Sequence, residues 1–86
     1  NYPNPVTDGS TTIRYYLGQD ARSVTLKIFD LSGREVQTLS GGTTGQIDNI
    51  VLWNCADVTP GVYRCLIEIN YDGSIETAFT DIAVIR

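Results

Sequence analysis

The side chains with the most distinctive chemistry in this sequence are two cysteines, Cys55 and Cys65. The chain contains no histidine, so a common zinc site or an activated cysteine nucleophile lacks its usual partner. The pair therefore indicates either a disulfide bond or two buried thiols. An oxidising compartment would favour the disulfide, and strand parity allows both side chains to face inward on successive strands.

Carboxylates are the other groups that could support catalysis. An enzyme site needs a nucleophile with a base, a metal cluster or paired carboxylates in a cleft. Aspartates in predicted loops more often serve turns or solubility, and here they are Asp8, Asp20, Asp48, Asp57 and Asp72. We therefore predict no enzymatic activity, no cofactor and no catalytic or metal-binding residues. A calcium site at Asp8-Gly9-Ser10 stays open as an alternative, although the spaced ligand series is missing.

The glycine-rich stretch from Gly41 to Gly45 could suggest a phosphate-binding loop. It carries no lysine to reach a phosphate, and no helix follows it to supply a favourable dipole. We predict a flexible loop.

Charge and length restrict the function further. The formal net charge is -4, and Lys27 is the only lysine, which argues against nucleic acid as a partner because phosphate binding needs clustered cations. The 86 residues are sufficient for one domain, residues 1–86, and we expect it to be monomeric in isolation. No apolar run approaches the roughly 18 residues that span a bilayer. Since residue 1 is not Met, we expect this chain to be a piece of a longer protein.

Apolar residues alternate with period 2 in several short stretches, which predicts strands. The predicted strands cover 11–17, 23–30, 35–39, 47–54, 62–70 and 74–85, with a short edge strand near 2–6. Turn residues separate them, and no stretch has a sustained helical period. The pattern predicts an all-β fold, an immunoglobulin-like antiparallel β-sandwich of about seven short strands, with a small closed barrel as the alternative.

The dipeptide Asp72-Gly73 is the strongest hairpin signal in the sequence and predicts a type I′ turn. The resulting register pairs Tyr71 with Ser74. It also turns one set of side chains inward, through the pairs Tyr63–Ile82, Cys65–Thr80 and Ile67–Ala78. The other face carries the pairs Leu66–Phe79 and Arg64–Asp81.

Two aromatic features of this arrangement bear on binding. Trp53 follows Val51 on the inward parity of its strand, which favours a core anchor over a sugar-stacking platform. On the outward face, Phe29, Leu66 and Phe79 lie on neighbouring strands, and with Val62 and Ala83 they form a candidate interaction patch.

Several motifs resemble one protein family over nearly the whole chain. They are Asn1-Tyr2-Pro3-Asn4-Pro5 with Ser10 to Tyr15, Val24 to Val36 containing Asp30-Leu31-Ser32-Gly33-Arg34, Trp53-Asn54, and Pro60-Gly61-Val62-Tyr63. This pattern resembles the type A C-terminal sorting domains of type IX secretion, and is related to the immunoglobulin-like domain of the flagellar hook-capping protein.

The resemblance implies that residues 1–86 are the C-terminal module of a longer secreted protein. It also implies that this module is non-catalytic and directs its parent protein through type IX secretion to the cell surface or outside. Its implied partners are the secretion machinery or adjacent domains of the parent. The sorting motif that it implies comprises Gly61, Val62, Tyr63, Ile82, Ala83, Val84, Ile85 and Arg86. The chain departs from the family near Thr80 and Asp81, where members usually carry lysine. A structural spacer or a carbohydrate-binding accessory module of an extracellular hydrolase is the alternative function.

Overall fold

The computed structural model describes the backbone of residues 4–6 and the whole of residues 9–85. This part of the chain forms seven strands and no helix. The strands are β1 (Asn4–Val6), β2 (Ser10–Tyr16), β3 (Ser23–Phe29), β4 (Glu35–Ser40), β5 (Asp48–Asn54), β6 (Gly61–Tyr71) and β7 (Ser74–Val84). The six longer strands begin and end within one residue of their predicted bounds. The predicted edge strand is confirmed over Asn4–Val6, and Tyr2 and Pro3 lie outside the described residues.

The strands form two layers, a five-stranded sheet in the order β1-β7-β6-β3-β4 and a two-stranded sheet of β2 and β5. This arrangement confirms the predicted all-β sandwich. One pairing departs from the antiparallel expectation, because β1 runs parallel to β7. The chain passes from β1 to β2 in the opposite sheet rather than through a hairpin, so no tight turn imposes an antiparallel direction.

The core lies between the sheets and follows the predicted alternation. Along β5, for example, Val51 and Trp53 are buried while Ile50 and Leu52 are exposed. The buried apolar side chains of the described residues are Ile13, Tyr15, Leu17, Val24, Leu26, Ile28, Val51, Trp53, Cys55, Tyr63, Cys65, Ile67, Ile69, Tyr71, Ile82 and Val84. Trp53 is 1% exposed and is a core anchor, as predicted, so it offers no face on which a sugar could stack.

The β6–β7 hairpin has the predicted register from Tyr71–Ser74 to Gly61–Val84 without a shift. Its turn differs from the prediction, since among the described residues only Gln46 and four glycines have positive φ. Gly73 has a φ of 93° and Asp72 is not in this set, whereas a type I′ turn needs positive φ at both positions. A positive φ at the second central residue alone is the pattern of a type II turn, which requires only one glycine.

The two faces of the hairpin follow the predicted parity. Tyr63, Cys65, Ile67 and Ile82 are buried, whereas Ala78 on the same face is exposed. Ala78 lies in the outer part of β7, and β1 flanks this strand only from Ile82 to Val84.

The Gly41–Gly45 segment forms hydrogen bonds with other parts of the chain, and its flexibility stays a prediction. The Tyr15 hydroxyl donates to the Gly42 carbonyl at 2.6 Å, and the Gly45 N–H donates to the Asp20 carboxylate at 2.7 Å. A β-carbon on Gly45 would lie 2.3 Å from the carbonyl carbon of Gln19. The glycine therefore allows two stretches of backbone to approach closely.

Candidate functional site

Three motif segments that are far apart in the sequence lie side by side in the five-stranded sheet. Gly61, Val62 and Tyr63 at the start of β6 pair with Val84, Ala83 and Ile82 at the end of β7. Ile82–Val84 pair in turn with Asn4–Val6 of β1. We call these three paired segments the terminal block. The structure thus brings together the two parts of the predicted sorting motif, apart from Ile85, which follows β7, and Arg86, which lies outside the described residues.

Alternation divides the terminal block into supporting and displayed side chains. Tyr63, Ile82 and Val84 face the core and are at most 6% exposed. Val62 and Ala83 are paired on the outer face and are half-buried, and Ile85 is 49% exposed. Only the second group can meet a partner directly, a distinction that the motif itself does not reveal.

Tyr63 fixes the turn that leads into the block. Its hydroxyl donates a hydrogen bond to the Thr59 carbonyl, and its ring lies edge-on to Trp53 at 5.6 Å between centroids. Gly61 lies between Thr59 and Tyr63 in the sequence. It has a φ of 155°, a backbone conformation that side-chain-bearing residues rarely adopt. The Pro60-Gly61-Val62-Tyr63 motif is therefore a structural device that sets where β6 begins.

A cleft of about 620 Å³ lies beside the terminal block. It lies between the β3–β4 loop and the loop that precedes β6, so two motif segments that are far apart in the sequence face each other. Its apolar lining includes Leu31, Val36, Val58 and Val62. Leu31 is 79% exposed, which leaves a large apolar side chain available at the rim.

The charged lining of this cleft is mostly acidic, with Asp30, Glu35 and Asp57 against a single cation, Arg34. The Arg34 side chain lies 3.4 Å from the Asp30 carboxylate. A surface of this composition favours contact with apolar groups flanked by cations rather than by further carboxylates.

The β3–β4 loop at the cleft is ordered by the Asp30 carboxylate. This group accepts hydrogen bonds from the Ser32 hydroxyl at 2.6 Å, the Ser32 N–H at 3.0 Å and the Arg34 N–H at 3.0 Å. The Ser32 hydroxyl, with the Arg34 N–H as the next contribution, lowers the pKa of Asp30 below its ordinary value. The loop is thus a folded turn that presents Leu31, and the charged form of Asp30 stabilises it.

The candidate interaction patch lies on the predicted outer face. Leu66 on β6 pairs with Phe79 on β7. Phe29 on β3 pairs with Arg64, two residues before Leu66 on β6. Phe79 is 55% exposed, and the Arg64 guanidinium lies 5.5 Å from its ring centroid. Arg64 also forms an ion pair with Asp81 at 3.0 Å, and this pair separates Leu66 and Phe79 from Val62 and Ala83.

Cys55 and Cys65 are both fully buried, and each has a relative exposure of 0%. Burial raises the pKa of the Cys65 thiol to about 11. Cys65 is therefore protonated at neutral pH and poorly suited to nucleophilic chemistry. The disulfide stays a prediction.

A second apolar surface was not predicted from the sequence. Tyr16, Ile50 and Leu52 are 61%, 56% and 62% exposed on the outer face of the two-stranded sheet. The signal was present in the uninterrupted apolar run from Ile50 to Trp53, since such runs are typical of strands covered on both faces. The structure covers only one face of this strand.

Among residues 4–6 and 9–85, no group of three or more potential metal ligands comes together. The alternative calcium site cannot be placed, because Asp8 lies outside the described residues. No helix in the described part of the chain is long and apolar enough to cross a membrane.

The chain matches a known protein family. The family model described as "Secretion system C-terminal sorting domain" matches residues 1–79. No curated protein and no solved structure matches the chain significantly. The family match thus covers the N-terminal motif, the β3–β4 loop and the start of β6, and it ends before the last residues of β7.

Proposed function

This chain belongs to the family of secretion system C-terminal sorting domains, and on that premise we propose that the terminal block and the adjoining cleft form its sorting surface. The domain is a non-catalytic sorting signal, which directs its parent protein through type IX secretion to the cell surface or the extracellular space. It acts together with the secretion machinery.

The observation that carries this proposal is the direct pairing of Gly61–Tyr63 with Ile82–Val84. The two segments that the family resemblance implicates form one continuous surface, and the displayed members are Val62, Ala83 and Ile85. The exposed Leu31 side chain extends this surface across the cleft. Apolar side chains that remain accessible next to a concave surface are a common basis of protein recognition.

The core-facing members of the motif have a different role in this proposal. Tyr63, Ile82 and Val84 position the displayed side chains and make no contact with the machinery. Their substitution would impair sorting through loss of fold, which would appear as a lower free energy of unfolding.

Export of a passive reporter fused to this domain, in a bacterium with type IX secretion, tests the proposal. Val62→Ser combined with Ile85→Ser should abolish export while the isolated domain keeps its circular dichroism spectrum and melting temperature. The matched control is Ile50→Ser combined with Leu52→Ser, which removes comparable exposed apolar side chains from the opposite sheet. Normal export of the first pair, or equal loss of export in both pairs, would refute the assignment of this surface.

We further propose that the isolated domain is a monomer without catalytic activity and that it binds no nucleic acid. The net charge of -4 supports the last point, because a nucleic-acid surface needs clustered cations. Residues 1–86 are proposed to form a single folded unit attached to the C-terminal side of the parent protein.

A further inference from the structure

The outer edge of β7 is long and regular. β7 pairs with β6 over eleven consecutive residue pairs without a bulge. Among the described residues, its other edge is paired only at Ile82–Val84, with β1. Residues 74–79 of β7 are all exposed. An uncovered edge of this kind is a template for a further strand.

The direction of the backbone groups along this edge follows from one hydrogen bond. The Arg22 N–H donates to the Asn70 carbonyl at 2.7 Å, so the backbone groups of Asn70 point towards β3. Those of Tyr71 consequently point towards β7, and Tyr71–Ser74 is a hydrogen-bonded pair. By alternation, Glu76 and Ala78 bond to β6, while the N–H and C=O groups of Ile75 and Thr77 point to the open edge.

The same alternation explains a proline in β1. Ala83 has the parity of Ile75 and Thr77, so its backbone groups point towards β1. Its partner Pro5 lies directly opposite, and in a parallel pair the bonds go to the residues on either side of the opposite one. The N–H that Pro5 lacks would therefore face away from β7, where its absence costs no ladder hydrogen bond.

The parallel register also sets the direction in which β1 lies along β7. Asn4 lies opposite Ile82 and Val6 opposite Val84, so the N-terminal end of β1 is directed along the edge of β7 towards Ser74. A polypeptide that approaches β1 along this line would run beside Ser74–Ala78.

We propose that the segment of the parent protein immediately before Asn1 adds to the edge of β7 as a strand parallel to β7. A C-terminal sorting domain is attached to its parent on this side, so this segment is the polypeptide that the register directs to the edge. Ser74–Ala78 contain no lysine and no proline, and Glu76 is their only charge. Ile75, 68% exposed on the outer face, would be partly covered.

This contact would link the parent protein to the strand that carries part of the sorting surface. The inference does not depend on which residues the machinery contacts. Its test is a physical measurement on the purified protein, so its failure and a failure of the proposed sorting surface are distinguishable.

Amide hydrogen exchange measured by NMR tests whether the preceding segment adds to the edge of β7. Residues 1–86 are compared with the same chain extended by the preceding ten residues of its parent. The extension should slow exchange at Ile75 and Thr77 by about tenfold or more, because these amides gain acceptors. The amides of Glu76 and Ala78 bond to β6 in both proteins and are internal controls.

Equal exchange at Ile75 and Thr77 in both proteins would overturn the proposal. So would protection that is already present in residues 1–86 and grows with protein concentration, since that would indicate pairing between two copies of the edge.

Two variants of the extended chain provide a second test of the added strand. Thr77→Pro removes an edge donor and should restore fast exchange at Ile75. Thr77→Val keeps the amide and should leave Ile75 protected. If Ile75 exchanges at the same rate in both variants, its protection does not come from a strand added at this edge.

Discussion

Replacing Gly61 by alanine should destabilise the domain through backbone strain alone. Gly61 has a φ of 155°, and a β-carbon built on it would meet no atom within 4 Å. No steric clash contributes, so the cost is that of holding a side-chain-bearing residue in this conformation, about 1–3 kcal/mol. This is a considerable fraction of the roughly 4–13 kcal/mol expected for a domain of this length.

Gly18→Ala is the matched control. A β-carbon on Gly18 would also meet no atom within 4 Å, but its φ is outside the positive range. The alanine there should be neutral or stabilise by about 0.4–1 kcal/mol, because it reduces the conformational entropy of the unfolded chain. The two variants therefore isolate the effect of φ.

Urea unfolding followed by the fluorescence of Trp53, the only tryptophan, measures both changes. With a slope of about 1 kcal/mol per molar urea, the midpoint of Gly61→Ala should fall by roughly 1–3 M. The role assigned to φ at Gly61 would be refuted if the free energies of unfolding of Gly61→Ala and Gly18→Ala agreed within about 0.5 kcal/mol. This is the ordinary size of the effect of a surface substitution.

Three further predictions concern packing, thiol reactivity and acid stability. Gly45→Ala should cost about 3 kcal/mol or more, seen in thermal unfolding by circular dichroism, because its β-carbon would meet the Gln19 backbone at 2.3 Å. Cys65, with a pKa of about 11, should resist iodoacetamide at pH 8 until the domain unfolds, as mass spectrometry would show. The hydrogen bond from Arg64 lowers the pKa of Asp81 below 3.8, so its stabilisation is present above that pH and is lost as the pH falls through the folded-state pKa. Urea unfolding at a series of acidic pH values should show a shallower decline in stability for Asp81→Asn.

Each of these expectations has a clear contrary outcome. Melting of Gly45→Ala at the wild-type temperature would mean that the loop backbone can move apart without cost. Rapid labelling of Cys65 in native buffer would contradict its burial. Equal acid sensitivity of the wild type and Asp81→Asn would show that the ion pair with Arg64 makes no net contribution.

The sequence predicted the longer strands and the β6–β7 register because both follow from short-range signals. Asp72-Gly73 fixes the residues that face each other, and period-2 alternation then decides which side chains enter the core. The same signals left the turn type open to error, since one glycine suits a type II turn as well as a type I′ turn.

Features that depend on distant residues could not be predicted in this way. The parallel pairing of β1 with β7 joins Asn4 to Ile82, and no local pattern specifies such a partner. The cleft arises because the loop containing Leu31 and the loop containing Val58 meet in space. The composition of Gly41–Gly45 is typical of a loop, but it does not indicate the hydrogen-bond partners Tyr15 and Asp20, which come from elsewhere in the chain.

The parallel pairing of β1 and β7 has a mechanical consequence. A pull transmitted from the parent enters at the N-terminal end of β1, and resistance at the other end of the domain acts beyond the C-terminal end of β7. In two parallel neighbours these forces are opposed along the strand axis, so the hydrogen bonds between them are loaded together in shear rather than opened one after another. Traction during passage through a membrane would therefore meet its stiffest resistance where the first and last strands are joined.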